Sequence, residues 1–137
     1  MDCLFCKIVS KEIPSEVILF EDEDVLAFLD LHPLTPGHTL VVPKNHFENI
    51  IELTPEKVGN LFLLVRKVTE ALLKTLSPSG FTIGINHGKA AGQVIDHMHV
   101  HVIPRYENDG GKSIHSIVFV PTNEPLRELA ERVKMAG

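Results

Sequence analysis

Within Asp96-His97-Met98-His99-Val100-His101-Val102-Ile103-Pro104-Arg105, histidine occupies every second position from 97 to 101, with an apolar residue inside each gap. In a strand, alternate side chains share a face about 6.6 Å apart, so His97, His99 and His101 form a row of imidazoles while Met98, Val100 and Val102 enter the core. Three kinds of chemistry fit such a row. It is a histidine-rich solvent face, a multi-histidine metal site that would want carboxylates nearby, or a nucleophilic centre. In the last, a neutral imidazole attacks phosphorus and a second histidine protonates the leaving group. The turn upstream favours nucleophilic chemistry. Asn86-His87-Gly88-Lys89-Ala90-Ala91-Gly92-Gln93 can gather backbone N–H groups, the Gln93 amide and Lys89 around an anion, because glycine lets the main chain approach closely. A second signal lies at the N-terminus, where the two cysteines, Cys3 and Cys6, have C-x-x-C spacing. In a reducing compartment that spacing indicates a metal or a redox pair before a structural disulfide. No strand precedes the motif as a thioredoxin-like pair requires, and two small buried thiols in a short helix are the plain alternative.

The elements that must position these groups follow from periodicity and turn chemistry. Residues 3 to 10 form a short helix, and Ile13-Pro14 forces an extended or turned backbone. Glu16 to Phe20 and Val25 to Leu29 read as antiparallel strands joined by the acidic turn Glu21-Asp22-Glu23-Asp24. Leu31 to Gly37 is a loop, and His38 to Pro43 is a β-branched strand that proline ends. Thr54-Pro55-Glu56 starts a long helix with a hydroxyl cap, proline at the first position and an acid in the first turn. Its apolar face is predicted at Val58, Leu61, Phe62, Val65, Val68 and Leu72. Ser77-Pro78-Ser79-Gly80 stops that helix; strands follow at Phe81 to Asn86, at His97 to Ile103 and, shorter, at Ile114 to Val120. A terminal helix from about Pro125 carries Leu126, Leu129, Ala130 and Val133 on one side. The fold class is α+β, an antiparallel sheet covered by a long helix.

The chain has 137 residues, 44% of them hydrophobic and 23% charged, within the range of one soluble domain. We expect a single domain over 1–137, with a metal-binding segment over about 1–12 and a helical tail over about 122–137. A net charge of −5 argues against a non-specific grip on nucleic acid, and the absence of Trp with a single Tyr argues against broad base-stacking platforms. No apolar stretch is long enough to cross a bilayer, and the first residues lack signal-peptide organisation, so a cytoplasmic protein without a membrane partner is expected.

The run His97-Met98-His99-Val100-His101-Val102-Ile103 resembles the His-φ-His-φ-His-φ-φ signature of the histidine-triad superfamily, where φ is hydrophobic. The similarity continues through Phe28-Leu29-Asp30, Pro36-Gly37-His38-Thr39-Leu40-Val41-Val42-Pro43-Lys44-Asn45-His46, Asn86-His87-Gly88 and Gly92-Gln93, and covers most of residues 3 to 105. The resemblance implies a five-stranded antiparallel sheet with helices, paired as a homodimer. It implies that His99 attacks the α-phosphate of a nucleoside phosphoramidate or dinucleoside polyphosphate, with a purine, adenine first, as the base. A nucleotidyl-histidine then yields a nucleoside monophosphate to water. His101 would contact the phosphate and assist the leaving group, with His38 beside the triad. Asp30 would hold the ribose hydroxyls, and Asn86, Gly92 and Gln93 would meet phosphate. The chemistry agrees, since a carboxylate accepts two hydrogen bonds from a diol and amides donate to phosphoryl oxygens.

In the zinc-containing branch of this superfamily the further ligands fall at His46 and His97, which with Cys3 and Cys6 would close a structural tetrahedral site. Arg105 and Lys44 are placed either at distal phosphates or in structural roles, His32 and His115 at the surface, and His87, beside the phosphate turn, either near the leaving group or in solvent. Two departures stand out. Val94 replaces the serine that often follows the glutamine, and Asp96 replaces an uncharged residue; strand alternation would put Asp96 opposite His97 and His99. Val94 keeps open the alternative of a nucleotide-binding regulatory protein with little turnover.

Overall fold

The computed structural model describes residues 2–137. Short apolar runs separated by turns pair into one antiparallel sheet. Its strands are β1 (Ile18–Glu21), β2 (Val25–Leu29), β3 (Thr39–Pro43), β4 (Gly80–Gly84) and β5 (Val100–Arg105), arranged β1-β2-β3-β5-β4. The acidic turn between β1 and β2 is closed by Asp22, whose carboxylate accepts from the N–H groups of Asp24 (2.8 Å) and Val25 (3.0 Å). β1 begins two residues later than the pattern suggests, although Leu29 N–H still reaches the Val17 carbonyl at 3.0 Å.

The helices are α1 (Leu4–Val9), α2 (Pro55–Leu76) and α3 (Leu126–Ala136). Thr54 caps α2 by accepting from Lys57 N–H, and Ser77 in a left-handed conformation ends it. The buried stripe is Leu61, Leu64, Val65, Val68 and Leu72, so the predicted face is corrected in phase: Phe62 is 38% exposed and Leu64 is buried instead. This stripe packs on Val25, Ala27, Val41, Met98, Val100 and Val102. On the other side of the sheet, α1 places Phe5 and Ile8 against Leu26, Phe28, Leu40 and Val42. The central strands are therefore covered on both faces, which explains why β2 and β3 read as continuous apolar runs rather than alternating ones.

Three further expectations need correction. The histidine strand does not start at His97, because Met98 N–H is taken by the Phe47 carbonyl (2.6 Å) and ladder pairing begins at Val100. The side-chain alternation survives, with Met98, Val100 and Val102 facing α2. β4 is shifted from Phe81–Asn86 to Gly80–Gly84, since its pairing with β5 ends at Gly84 opposite His101. Ile114 to Val120 is not a strand. Ile114–Ser116 is a single 3-10 turn and Ile117 to Val120 lie in solvent, since strand propensity without a neighbouring ladder forms no sheet. α3 forms as expected, but Leu126 and Val133 on its apolar side are exposed.

Gly37 leads into β3 at φ +90°, where an added Cβ would lie 2.6 Å from Leu76 and 3.1 Å from Pro104. A Gly37→Ala substitution is expected to cost about 1–3 kcal/mol in urea unfolding, from left-handed strain plus crowding. Gly59 inside α2 has nothing within 4 Å of an added Cβ, and Gly59→Ala is expected to stabilise by about 0.5–1 kcal/mol.

Candidate active site and metal centre

The approach to β5 puts His99 and His101 on the sheet face that α1 covers. They border a cavity of about 350 Å³. Phe5, Ile8, Phe28, Leu40 and Ile95 supply apolar walls, and Asp30, Asn86 and Gly92 stand at its polar side. Such a slot suits a flat apolar base with its ribose and phosphate at the polar end. The walls were not legible as site residues, because in the sequence they are indistinguishable from core positions. His32, expected at the surface, also lines the cavity, as does Val94, which is 91% exposed.

The hydrogen bonds fix where each imidazole proton sits. The carbonyl of His97 can only accept, so His99 donates to it through Nδ1–H (2.7 Å), leaving the Nε2 lone pair of His99 free. Leu34 N–H donates to His38 Nδ1 (3.1 Å), so the His38 proton is on Nε2 and is donated to His101 Nδ1 (3.0 Å). That leaves His101 as the tautomer with Nε2–H. The rings of His99 and His101 lie 5.0 Å apart, so a nitrogen lone pair and an N–H donor stand side by side. Asp30 accepts from His32 N–H at 2.9 Å, and its second oxygen lies 3.6 Å from His38 Nε2.

Burial lowers the pKa of His38, His99 and His101 alike. His101 falls to about 4, through burial first and then repulsion from His99 and His38, with Asp30 opposing. The triad is therefore neutral at pH 7. Between pH 4 and about 6.5 the unfolded chain binds a proton at this position that the folded chain refuses. The stability contributed is full above pH 6.5 and lost as pH falls toward 4. Melting temperature is expected to drop from pH 7.5 to 5, and His101→Gln should flatten part of that drop.

Gln93, expected at the phosphate, has its amide engaged within the chain. It is buried, its Oε1 accepts from Gly88 N–H (2.8 Å), and its Nε2 donates to the Glu48 and Ile95 carbonyls (2.9 and 3.0 Å). It shapes the turn that brings Gly92, at φ +96°, to the cavity. Arg105 is likewise structural: it forks onto Asp109 (2.8 and 3.0 Å) and bonds Thr82 and the Lys112 carbonyl. Lys44 pairs with Glu21 at 2.7 Å. His87, Asp96 and His115 are exposed, and Asp96 precedes the ladder rather than lying on a strand face.

Cys3, Cys6, His46 and His97 converge with all four donor atoms within 4.8 Å of one another. Sulfur-to-nitrogen separations are 3.3 Å (Cys6 to His46), 3.4 Å (Cys3 to His97) and 3.5 Å (Cys6 to His97). A tetrahedral zinc with ordinary bond lengths would set these edges at about 3.6 Å, so the donor set fits that ion. His97 Nε2–H donates to the Pro43 carbonyl (2.7 Å), which turns the Nδ1 lone pair toward the thiols. Burial, then the Cys3 thiol, pushes Cys6 up to about 11, so it takes a cation to stabilise thiolate here. Asp30, His38 and His101 also converge. There the Leu34 bond keeps a proton on the very nitrogen a metal would need, and the group works as a hydrogen-bond relay.

The HIT domain family matches residues 10–108. An uncharacterised HIT-like protein of Methanocaldococcus jannaschii is 50% identical over 128 residues, covering 93% of this chain and 98% of its own. An adenosine 5'-monophosphoramidase of Schizosaccharomyces pombe is 37% identical over 133 residues, covering 97% and 96%. The crystal structure of a zinc-bound histidine triad family protein of Mycobacterium smegmatis superposes with a TM-score of 0.74 at 34% identity, covering 100% and 99%. With the triad, the turn and the five-stranded sheet in place, the chain belongs to the HIT domain family.

Proposed function

We propose that the chain is a nucleotide hydrolase or nucleotidyl transferase that cleaves at the α-phosphate of adenosine phosphoramidates or dinucleoside polyphosphates. The observation that carries this reading is the tautomer pair, a free Nε2 on His99 beside an Nε2–H on His101. His99 Nε2 bonds to phosphorus as the bond to the leaving group breaks; His101 keeps its Nε2–H and offers it as a hydrogen bond to the departing atom, which takes its proton from solvent and leaves as the free amine. Water then cleaves the phosphorus–nitrogen bond and releases a nucleoside monophosphate. His38 orients His101. Asp30 holds the ribose hydroxyls, and Asn86 with the Gly92 backbone faces the phosphate. The similarity to a monophosphoramidase supports a nitrogen leaving group first.

Cys3, Cys6, His46 and His97 would hold a structural zinc, which supplies a cross-link and leaves the phosphate chemistry to the triad. Exposed Leu63 and Leu73 on α2, together with the free outer edge of β4, support a homodimer. The protein acts in the cytoplasm on this reading; among the described residues no helix is long and apolar enough to cross a membrane.

Incubation with adenosine 5'-phosphoramidate, and separately with a diadenosine polyphosphate, tests the proposal by product analysis. AMP release is expected, faster from the phosphoramidate. Val94, exposed at the cavity rim without a hydroxyl, favours the alternative of a binding protein. Tight AMP binding with no AMP release from either compound would establish that alternative.

A further inference from the structure

α1 has six residues, too few to hold itself in water, so its position comes from what pins it. Cys3 and Cys6 pin it from one side, and between them in the chain stand Leu4 and Phe5. Cys3 is also the helix cap, its sulfur accepting from Cys6 N–H at 3.4 Å. Phe5 is 3% exposed and its ring meets three others edge-to-face: Phe28 at 5.5 Å, His97 at 5.8 Å and His99 at 5.0 Å. The nucleophile is thus held twice by the metal cluster. His97, one donor of the cluster, accepts the His99 Nδ1 proton through its carbonyl. Phe5, flanked by two other donors, closes the space into which the His99 ring could swing.

We infer that Phe5 is a positioning residue for His99 and transmits to it the state of the Cys3–Cys6–His46–His97 cluster. The inference rests on the proposed function for what His99 does. Loss of the ion frees both thiols, α1 loses its anchor, and Phe5 leaves the face of His99. The imidazole then samples rotamers and tautomers in which Nε2 no longer addresses the phosphate. The same movement removes one wall of the cavity, so monophosphate affinity falls together with turnover.

The test compares zinc-loaded wild type, zinc-loaded Phe5→Ala and Phe5→Leu, and wild type stripped by a chelator. Four quantities are read: zinc per chain, AMP affinity by calorimetry, the nitrogen NMR signals of His99, and kcat for the phosphoramidate. Phe5→Ala is expected to keep its zinc, weaken AMP ~3–10-fold through the lost aromatic wall, and lower kcat ~10–100-fold through misplacement of the nucleophile. Its His99 signals should move from a single Nδ1–H tautomer to an averaged pattern. Phe5→Leu should restore kcat to within a few-fold of wild type by refilling the space. Stripped wild type should show the same averaged His99 signals and weakened AMP binding with Phe5 still present. Unchanged His99 signals and kcat in zinc-loaded Phe5→Ala, or wild-type AMP affinity in the stripped protein, would overturn the inference. The NMR and AMP readings need no turnover. If wild type cleaves nothing, the functional proposal fails while these two still decide the role of Phe5.

Discussion

A His99→Ala variant is expected to lose turnover by ~10⁴-fold or more while binding AMP within several-fold of wild type. The asymmetry follows from the site. Among the triad imidazoles whose bonds are described, His99 alone keeps an unengaged nitrogen lone pair, since His101 Nδ1 accepts from His38 and His97 Nδ1 faces the thiols. On the proposed mechanism, removing it deletes the nucleophile but leaves Asp30, the apolar walls and the Gly92 turn that line the cavity. Stopped assays with adenosine 5'-phosphoramidate, alongside calorimetry with AMP, separate the two effects. Equal turnover by His99→Ala would remove it as nucleophile.

Stripping the metal is expected to have the second-largest effect, a fall in melting temperature on the order of 10 °C or more. The cluster ties three distant parts of the chain: α1 through Cys3 and Cys6, the segment after β3 through His46, and the entry to β5 through His97. His97 is fully buried with its Nδ1 aimed at the thiols, so an empty site would leave a desolvated polar nitrogen with only weak sulfur partners. Calorimetric melts with and without chelator, together with metal analysis, check this. Activity should fall together with AMP affinity as α1 is released, since the ion acts through the position of His99. Loss of turnover with AMP affinity and the His99 signals unchanged would instead point to an ion that takes part in the phosphate chemistry. Zinc-free protein melting at the same temperature as loaded protein would contradict a structural ion.

The parts of the fold that were legible are those where local chemistry and tertiary packing agree. β2 runs over the expected Val25–Leu29, and the Thr54-Pro55-Glu56 start of α2 is where its cap residues place it. The histidine alternation was legible because a period of two separates core from site, and it holds even ahead of the ladder, where the Phe47 carbonyl takes Met98 N–H. Long-range partners were not legible. Gln93 reads as an anion donor until Glu48 and Ile95 claim its amide. Arg105 reads as either a phosphate donor or a structural cap until Asp109 claims its fork. Phe5 looks like any residue of a short apolar helix until α1 is seen lying against His97 and His99. Ile114 to Val120 has strand composition but no neighbour with which to pair, and composition carries no information about neighbours.

The most direct test of covalent catalysis on His99 is rapid acid-free quenching of wild-type protein mixed with adenosine 5'-phosphoramidate, followed by intact-protein mass spectrometry and peptide mapping. An added adenylyl mass on the peptide containing His99, absent in His99→Ala and decaying as AMP appears, is the predicted result. AMP formed with no adduct at any time point, at a rate shared by His99→Ala, would contradict it.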